Sequence, residues 1–132
     1  MPTAPAISAS GYLYICPNAP IGVNLGPGAT GWAWGTPGEN RDPGEMPRTE
    51  RRLEQLFQEV MEEFKLAAGR IVLLGFSQGA GMTYRCGLGR PDRFAGIVAL
   101  SSGLPDAEEL RRRLPPQRTQ PIFIAHGLQD NI

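Results

Sequence analysis

The chain has 132 residues, with 13 basic and 13 acidic side chains and no net charge at neutral pH. A chain of this length predicts one domain with a sizeable core. The balanced charge offers no basic surface for nucleic acid or for an anionic membrane, so neither is expected as a partner. The two cysteines, Cys16 and Cys86, are isolated in sequence, which argues against a disulfide framework or a metal site.

The start of the chain does not resemble a secretory signal. Residues 1–10 contain neither the basic segment nor the apolar segment of a signal peptide. No apolar run approaches the length that crosses a bilayer. We therefore expect a soluble protein in the cytoplasm.

The first third of the chain predicts one strand followed by a long loop. Residues 11–16 are apolar and aromatic and end at a Pro-Asn pair, which favours a strand. Residues 17–47 are rich in glycine and proline, yet they contain Trp32 and Trp34. Because disordered segments have few aromatic residues, we expect an ordered, functional loop here rather than a linker.

An amphipathic helix is predicted next. One stripe of apolar residues recurs at helical spacing, formed by Leu53, Leu56, Phe57, Val60, Met61 and Phe64. Residues 42–45 resemble a capping box, but Pro47 favours a later start. Gly69 is predicted to end the helix.

The rest of the chain alternates strands with helices. Strands are predicted at 70–74, 94–100 and 121–125, all apolar and buried. Helices are predicted from 80 to about 87–89 and at 106–114. This alternation is typical of βαβ units, so the sequence predicts an α/β fold with a parallel sheet.

The first of these strands runs into a G-x-S-x-G motif at residues 75–79. A serine on a tight turn from strand to helix presents its hydroxyl at the carboxyl edge of the sheet, above the amino-terminal N–H groups of the helix. Flanking glycines permit the strained turn and the close approach of strand and helix. Ser77 is therefore a candidate nucleophile; the alternative is a glycine-rich turn with an incidental serine.

Five segments in order, together with this motif, resemble the phospholipase/carboxylesterase family of α/β-hydrolases, which includes acyl-protein thioesterases. They are residues 14–20, 32–34, 74–80, 94–102 and 124–130. The resemblance implies a three-layer α/β-hydrolase fold with a mostly parallel sheet. It further implies that residues 1–132 form a single partial domain, without the family's first strands or its last strand and helix.

The resemblance also implies a chemistry. Ser77 would form an acyl-enzyme from a small acyl ester or thioester, and the N–H of Gln78 would stabilise the oxyanion. Asp130 would orient a catalytic histidine. Trp32 and Trp34 would line an acyl pocket or, equally, only anchor the loop. No metal or organic cofactor is implied.

The chain departs from the family pattern in its histidine. The catalytic histidine is expected well beyond Asp130, and the loop that supplies a second oxyanion donor is expected before residue 11. His126, the only histidine, is an alternative base, but its place before Asp130 favours a residue that closes a strand end. Asp130 could then be an ordinary loop aspartate. The chain thus resembles the middle of a longer hydrolase.

Two further interpretations of the function of this chain are possible. The chain could be a non-catalytic fragment or binding module that retains the hydrolase scaffold, or a partner chain could supply the histidine and the missing strands. Without its neighbour, the strand at 70–75 would have an unpaired edge. We expect such a chain to be marginally stable, rearranged, or able to pair with a second copy through this edge.

Overall fold

A computed structural model describes residues 11–36 and 42–130. The chain divides into two compact units, the first ending at Ala33 and the second beginning at Trp34. Within the described ranges, no helix has both the length and the apolar character needed to cross a membrane.

The first unit contains a β-hairpin where the sequence predicted a loop. Strand β1 (Ile21–Gly26) pairs with the antiparallel strand β2 (Ala29–Ala33). Pro27 and Gly28 form the turn, in which Gly28 has a φ of 76°, as a Pro-Gly turn requires. The expectation of a long irregular segment over residues 17–47 is therefore wrong, because this turn allows the two flanking segments to pair.

The strand predicted at residues 11–16 is also wrong. These residues form neither helix nor strand, and their apolar side chains are exposed. Tyr12 and Tyr14 contact each other, with ring centroids 6.3 Å apart. Apolar, aromatic composition favours a strand only when a partner strand satisfies its backbone groups, and none pairs with this segment among the described residues.

The second unit alternates helices and strands, as predicted. In chain order its elements are α1 (Glu45–Glu63), β3 (Ile71–Phe76), α2 (Gln78–Gly87), β4 (Phe94–Leu100), α3 (Ala107–Arg113) and β5 (Ile122–Ala125). The three strands form a parallel sheet in the order β3-β4-β5. Leu74, Val98 and Phe123 lie side by side across it. The predicted α/β class with a parallel sheet is confirmed.

Helix α1 begins earlier and ends earlier than the sequence suggested. It starts at Glu45, after Gly44 at the N-cap position, so Pro47 lies in the first turn. Proline is tolerated there because its missing N–H would have no partner inside the helix. The helix ends at Glu63, and Gly69 instead forms a turn with positive φ just before β3.

The helices pack on the sheet face that carries Leu73 and Ile97. One core cluster joins α2, β4 and α3, and another joins α1, α2, β3 and β4. Phe57 of α1 meets Phe94 edge-on, with ring centroids 5.3 Å apart. This packing accounts for one helical layer; the three-layer order stays a prediction.

The opposite face of β3 is open, whereas the sequence predicted a strand buried on both faces. Val72, Leu74 and Phe76 are 50%, 46% and 66% exposed. Alternate side chains of a strand point to opposite faces, and the helices cover only the face of Leu73. Within the described part of the chain β3 pairs only with β4, so its outer edge is unpaired there. Pairing with a second copy remains a prediction.

The two cysteines differ sharply in environment, and we expect them to differ in reactivity. Cys16 is exposed, whereas Cys86 is buried in α2. Burial raises the pKa of the Cys86 thiol to about 12, so it stays protonated at neutral pH. An aromatic disulfide reagent at pH 8 should titrate one thiol in the native chain and two after unfolding. The Cys16→Ser variant should show no fast thiol, and two fast thiols in the native parent chain would contradict this expectation.

Candidate active site

Ser77 occupies a strained turn between β3 and α2. It follows the last residue of β3 and is the N-cap of α2, with φ 53° and ψ −122°. Its N–H donates to the carbonyl of Leu100 at 2.9 Å, which ties the turn to β4. A non-glycine residue in this conformation costs about 1–3 kcal/mol and persists only where its surroundings enforce it. The turn thus has the geometry expected of a nucleophile elbow.

Gly75 makes this turn sterically possible. A Cβ at Gly75 would lie 2.2 Å from the carbonyl oxygen of Gly79, so a side chain would collide with the backbone of α2. A Cβ at Gly79 would meet only the ring nitrogen of Trp34, at 3.7 Å, an ordinary contact. The steric requirement for glycine in the motif therefore falls on Gly75.

The first backbone N–H groups of α2 have no hydrogen-bond acceptor within the helix. The carbonyl of Ser77 accepts from the N–H groups of Ala80 at 2.9 Å and Gly81 at 3.3 Å. The N–H groups of Gln78 and Gly79 have no acceptor within the helix, as helix geometry dictates for its first residues. Together with the helix dipole, they can stabilise negative charge next to Ser77.

The segment at residues 34–36 is fixed beside the elbow. The Trp34 N–H donates to Oε1 of Gln78 at 3.1 Å. Both the N–H and the hydroxyl of Thr36 donate to the carboxylate of Glu45, each at 2.6 Å. These hydrogen bonds lower the pKa of Glu45, so its carboxylate stays ionised and retains Thr36 at neutral pH.

A cleft of about 230 Å³ opens at Ser77. Apolar and polar groups share its lining, which consists of Trp34, Gly35, Met46, Ser77, Gln78, Gly81, Met82, Arg85, Ser101, Ser102, Gly103 and Pro105. Ser77, Gln78 and Trp34, all singled out by the sequence, are thus brought together here. Ser101 directly follows β4 and has a φ of 50°, so two neighbouring strands each end in a serine with positive φ.

Asp130 and His126 lie on the loop that follows β5, at the same edge of the sheet as Ser77. The Ser101 N–H donates to the carbonyl of Ala125 at 2.9 Å, which aligns the ends of β4 and β5. Since β4 separates β3 from β5, the two strand ends are roughly 10 Å apart. His126 Nε2 lies 3.0 Å from the carbonyl oxygen and 3.8 Å from Oδ2 of Asp130. The structure therefore joins His126 to Asp130, and within the described part of the chain no hydrogen bond or ion pair given for them reaches Ser77.

Trp32 belongs to the first unit, in strand β2, and is 60% exposed. A role for it in substrate binding stays a prediction. Across residues 11–36 and 42–130, no group of three or more histidine, cysteine or acidic residues could hold a metal ion.

Several residues that line the cleft were not among the site residues predicted from the sequence. Ser101 and Ser102 follow a parallel strand next to the elbow, and ligands of open α/β sheets bind at the carboxyl ends of such strands. Arg85 is the only charged residue in α2, a signal of a functional or ion-pairing position. Met46 carries no signal in sequence, because its place in the cleft depends on how α1 packs.

Comparisons with known proteins identify the family of the chain. The family model for phospholipases and carboxylesterases matches residues 4–132. Acyl-protein thioesterase 1 of Aspergillus fumigatus is 31% identical over 135 residues, covering 90% of this chain and 56% of that protein. Acyl-protein thioesterase 1 homolog 1 of Dictyostelium discoideum is 32% identical over 127 residues, and this match covers 90% of this chain and 55% of the Dictyostelium protein. The chain spans about half the length of these relatives. With the family model matching nearly its whole length, the chain belongs to the phospholipase/carboxylesterase family of hydrolases.

Proposed function

We propose that this chain carries the nucleophile and one oxyanion donor of a serine hydrolase that cleaves carboxylic esters or thioesters. The observation that carries the proposal is the strained conformation of Ser77 at the mouth of a cleft, at the N-cap of α2. This strained turn presents the Ser77 hydroxyl beside backbone N–H groups that have no acceptor within the helix. A hydroxyl in that position is suited to nucleophilic attack.

The reaction would proceed in two steps. The Ser77 hydroxyl oxygen attacks the acyl carbonyl carbon and loses its proton to a base; the bond to the alcohol or thiol breaks, and the leaving group takes the proton. Water then attacks the Ser77 ester, which releases the carboxylic acid and regenerates the serine. The N–H of Gln78 donates to the oxyanion in both steps.

The reaction requires a base that takes the proton of Ser77. We propose a histidine outside these 132 residues, oriented by Asp130, with His126 as the alternative. The contact between Nε2 of His126 and the carbonyl of Asp130 supports a structural role for His126, since it ties the imidazole ring to its own loop. Trp34 would form one wall of the acyl site, and Trp32 is proposed only as a loop anchor or a substrate contact.

The size of the cleft favours small substrates. Its volume of about 230 Å³ is below the roughly 300–1,000 Å³ of sites that enclose drug-sized ligands. We therefore propose short acyl chains. The names of the curated relatives, acyl-protein thioesterases, support a thioester as well as an oxygen ester as the bond that is cleaved.

Hydrolysis of p-nitrophenyl butyrate tests the proposal in a protein that contains these residues together with the proposed histidine. We expect turnover above the buffer rate that disappears in Ser77→Ala and survives in His126→Gln. Loss of activity in His126→Gln would make that residue the base. Equal rates for parent and Ser77→Ala would instead favour the second candidate, a hydrolase scaffold without catalysis. Among the described residues no hydrogen bond or ion pair joins a histidine to Ser77, which favours this alternative.

A further inference from the structure

A stripe of residues on α2 connects the elbow to a buried charge. Ser77, Gly81 and Arg85 follow one another at four-residue spacing, so they lie one above the other on a single face of the helix. All three line the cleft. The Arg85 side chain is only 5% exposed, an uncommon burial for a guanidinium, which requires partners.

The stripe faces residues 101–106, which we call the cleft wall. A Cβ at Gly81 would lie 3.6 Å from Cγ of Pro105 and 3.9 Å from Oγ of Ser102, so the wall packs directly on the helix there. Ser101, Ser102 and Pro105 of the wall also line the cleft. The position of the wall therefore sets the width of the cleft beside Ser77.

Arg85 binds the end of this wall that is farthest from Ser101. Its Nη2 forms an ion pair with Asp106, the last residue of the wall. Its Nη1 lies 2.8 Å from Oε1 of Glu50 in α1 and 3.6 Å from Oε2 of Glu109 in α3. Arg113 of α3 reaches the second oxygen of Glu50, also at 2.8 Å. One guanidinium thus links three helices and the cleft wall.

The backbone is left-handed at both ends of the wall. It begins at Ser101, with φ 50°, and ends at Asp106, with φ 46° and ψ 52°. Serine adopts such a conformation only where the surrounding structure enforces it, whereas aspartate enters the left-handed region more readily. Hydrogen bonding to Ala125 holds the first end, and Arg85 is the group that holds the second.

We propose that Arg85 is a positioning residue that holds the cleft wall against α2 and so determines the length of the acyl chain accepted beside Ser77. The inference about chain length rests on the proposed hydrolase function; the inference about the clamp does not. Arginine suits this role because its planar fork can bind several carboxylates at once, which lysine cannot reproduce.

Two variants release the clamp, and a third is its matched control. Arg85→Met retains a long apolar stem without the charge, and Asp106→Asn removes only the wall's carboxylate, since asparagine tolerates the left-handed conformation. The control is Arg93→Met. Arg93 is also largely buried, at 13% exposure, and also pairs with a glutamate of α1, Glu54, but it does not line the cleft.

Hydrogen–deuterium exchange tests the clamp without any need for activity. The Ser101 and Leu110 amides donate to the carbonyls of Ala125 and Asp106 at the two ends of the wall. Measured equally far below each variant's unfolding midpoint, these two amides should exchange at least about tenfold faster in Arg85→Met and Asp106→Asn than in Arg93→Met. Equal exchange in all three would overturn the clamp.

The ratio of kcat/KM for p-nitrophenyl butyrate to that for the decanoate ester tests the role in specificity. Both clamp variants should shift this ratio at least about threefold towards decanoate, chiefly through KM, while Arg93→Met leaves it unchanged. Faster exchange with an unchanged ratio would reduce Arg85 to a structural residue. A parent protein that contains the proposed histidine but shows no hydrolysis would refute the proposed function and the statement on chain length, while exchange still decides the clamp.

Discussion

Replacement of Ser77 by glycine is expected to stabilise the protein while it destroys the proposed activity. With φ 53° and ψ −122°, Ser77 occupies a region that glycine enters freely and other residues enter at a cost of about 1–3 kcal/mol. The greater conformational freedom of glycine in the unfolded chain offsets part of this stabilisation, by about 0.5–1 kcal/mol. We expect the free energy of unfolding to rise by about 1 kcal/mol.

The matched control is Ser77→Ala, which removes the same hydroxyl but retains the Cβ and the strain. It should unfold within about 0.5 kcal/mol of the parent chain. Both variants should lose about a thousandfold or more of any ester hydrolysis, because both lack the nucleophile. Urea denaturation of the three proteins provides the comparison. A glycine variant no more stable than the alanine variant would show that the turn stores no strain.

Among the glycines that the structure describes, Gly75 is the one at which an added methyl group is expected to be most damaging. Its Cβ would lie 2.2 Å from the oxygen and 2.3 Å from the carbon of the Gly79 carbonyl. Both are backbone atoms at the start of α2, so the helix must move away from β3. Overpacking by one methyl usually costs about 1–3 kcal/mol, and a backbone collision should cost at least about 3.

The control for this variant is Gly79→Ala, in the same motif. Its Cβ has room, with Trp34 at 3.7 Å, and alanine favours a helix over glycine by about 1 kcal/mol. We expect Gly79→Ala to be neutral or more stable, whereas Gly75→Ala lowers the urea midpoint. Since an elbow displaced by 1 Å can cost about a hundredfold in rate, Gly75→Ala should also lose activity. Similar midpoints for the two variants would contradict the steric account.

Sequence was sufficient where a segment's own residues decide its structure. Strand β4 has the predicted bounds, 94–100, because its apolar run ends in polar and glycine residues that cannot continue a buried strand. The G-x-S-x-G motif likewise predicted the turn at Ser77, since glycine at position 75 is a local steric requirement.

Sequence failed where pairing decides the structure. Strands β1 and β2 contain Gly22 and Gly31, and glycine is depleted in strands, so composition indicated a loop. The Pro27-Gly28 turn was the signal for a hairpin. Residues 11–16 have the better strand composition but no partner strand among the described residues, and they remain exposed.

The candidate site likewise has a part that the sequence predicts and a part that it does not. The elbow is local, whereas the cleft wall is held by an arginine sixteen or more residues away, on a different element. No periodicity shows that Arg85 will meet Asp106 or that Met46 will reach the cleft. Such contacts arise from the packing of α1 and α3 around α2, which a single sequence does not encode in any short pattern.

The order of the strands across the parallel sheet is also their order along the chain, β3, β4, β5. A ribosome extends the chain from its amino terminus, so β4 and β5 each emerge after a neighbour with which they pair. The unit of β3, α2 and β4 can therefore close, with Ser77 already in its strained turn, before β5 has been synthesised. Parallel pairing is intrinsically slow because a crossover must be ordered first. Because β4 and β5 each find their neighbour already synthesised, the time during which the inner strand edges are exposed to other nascent chains is short.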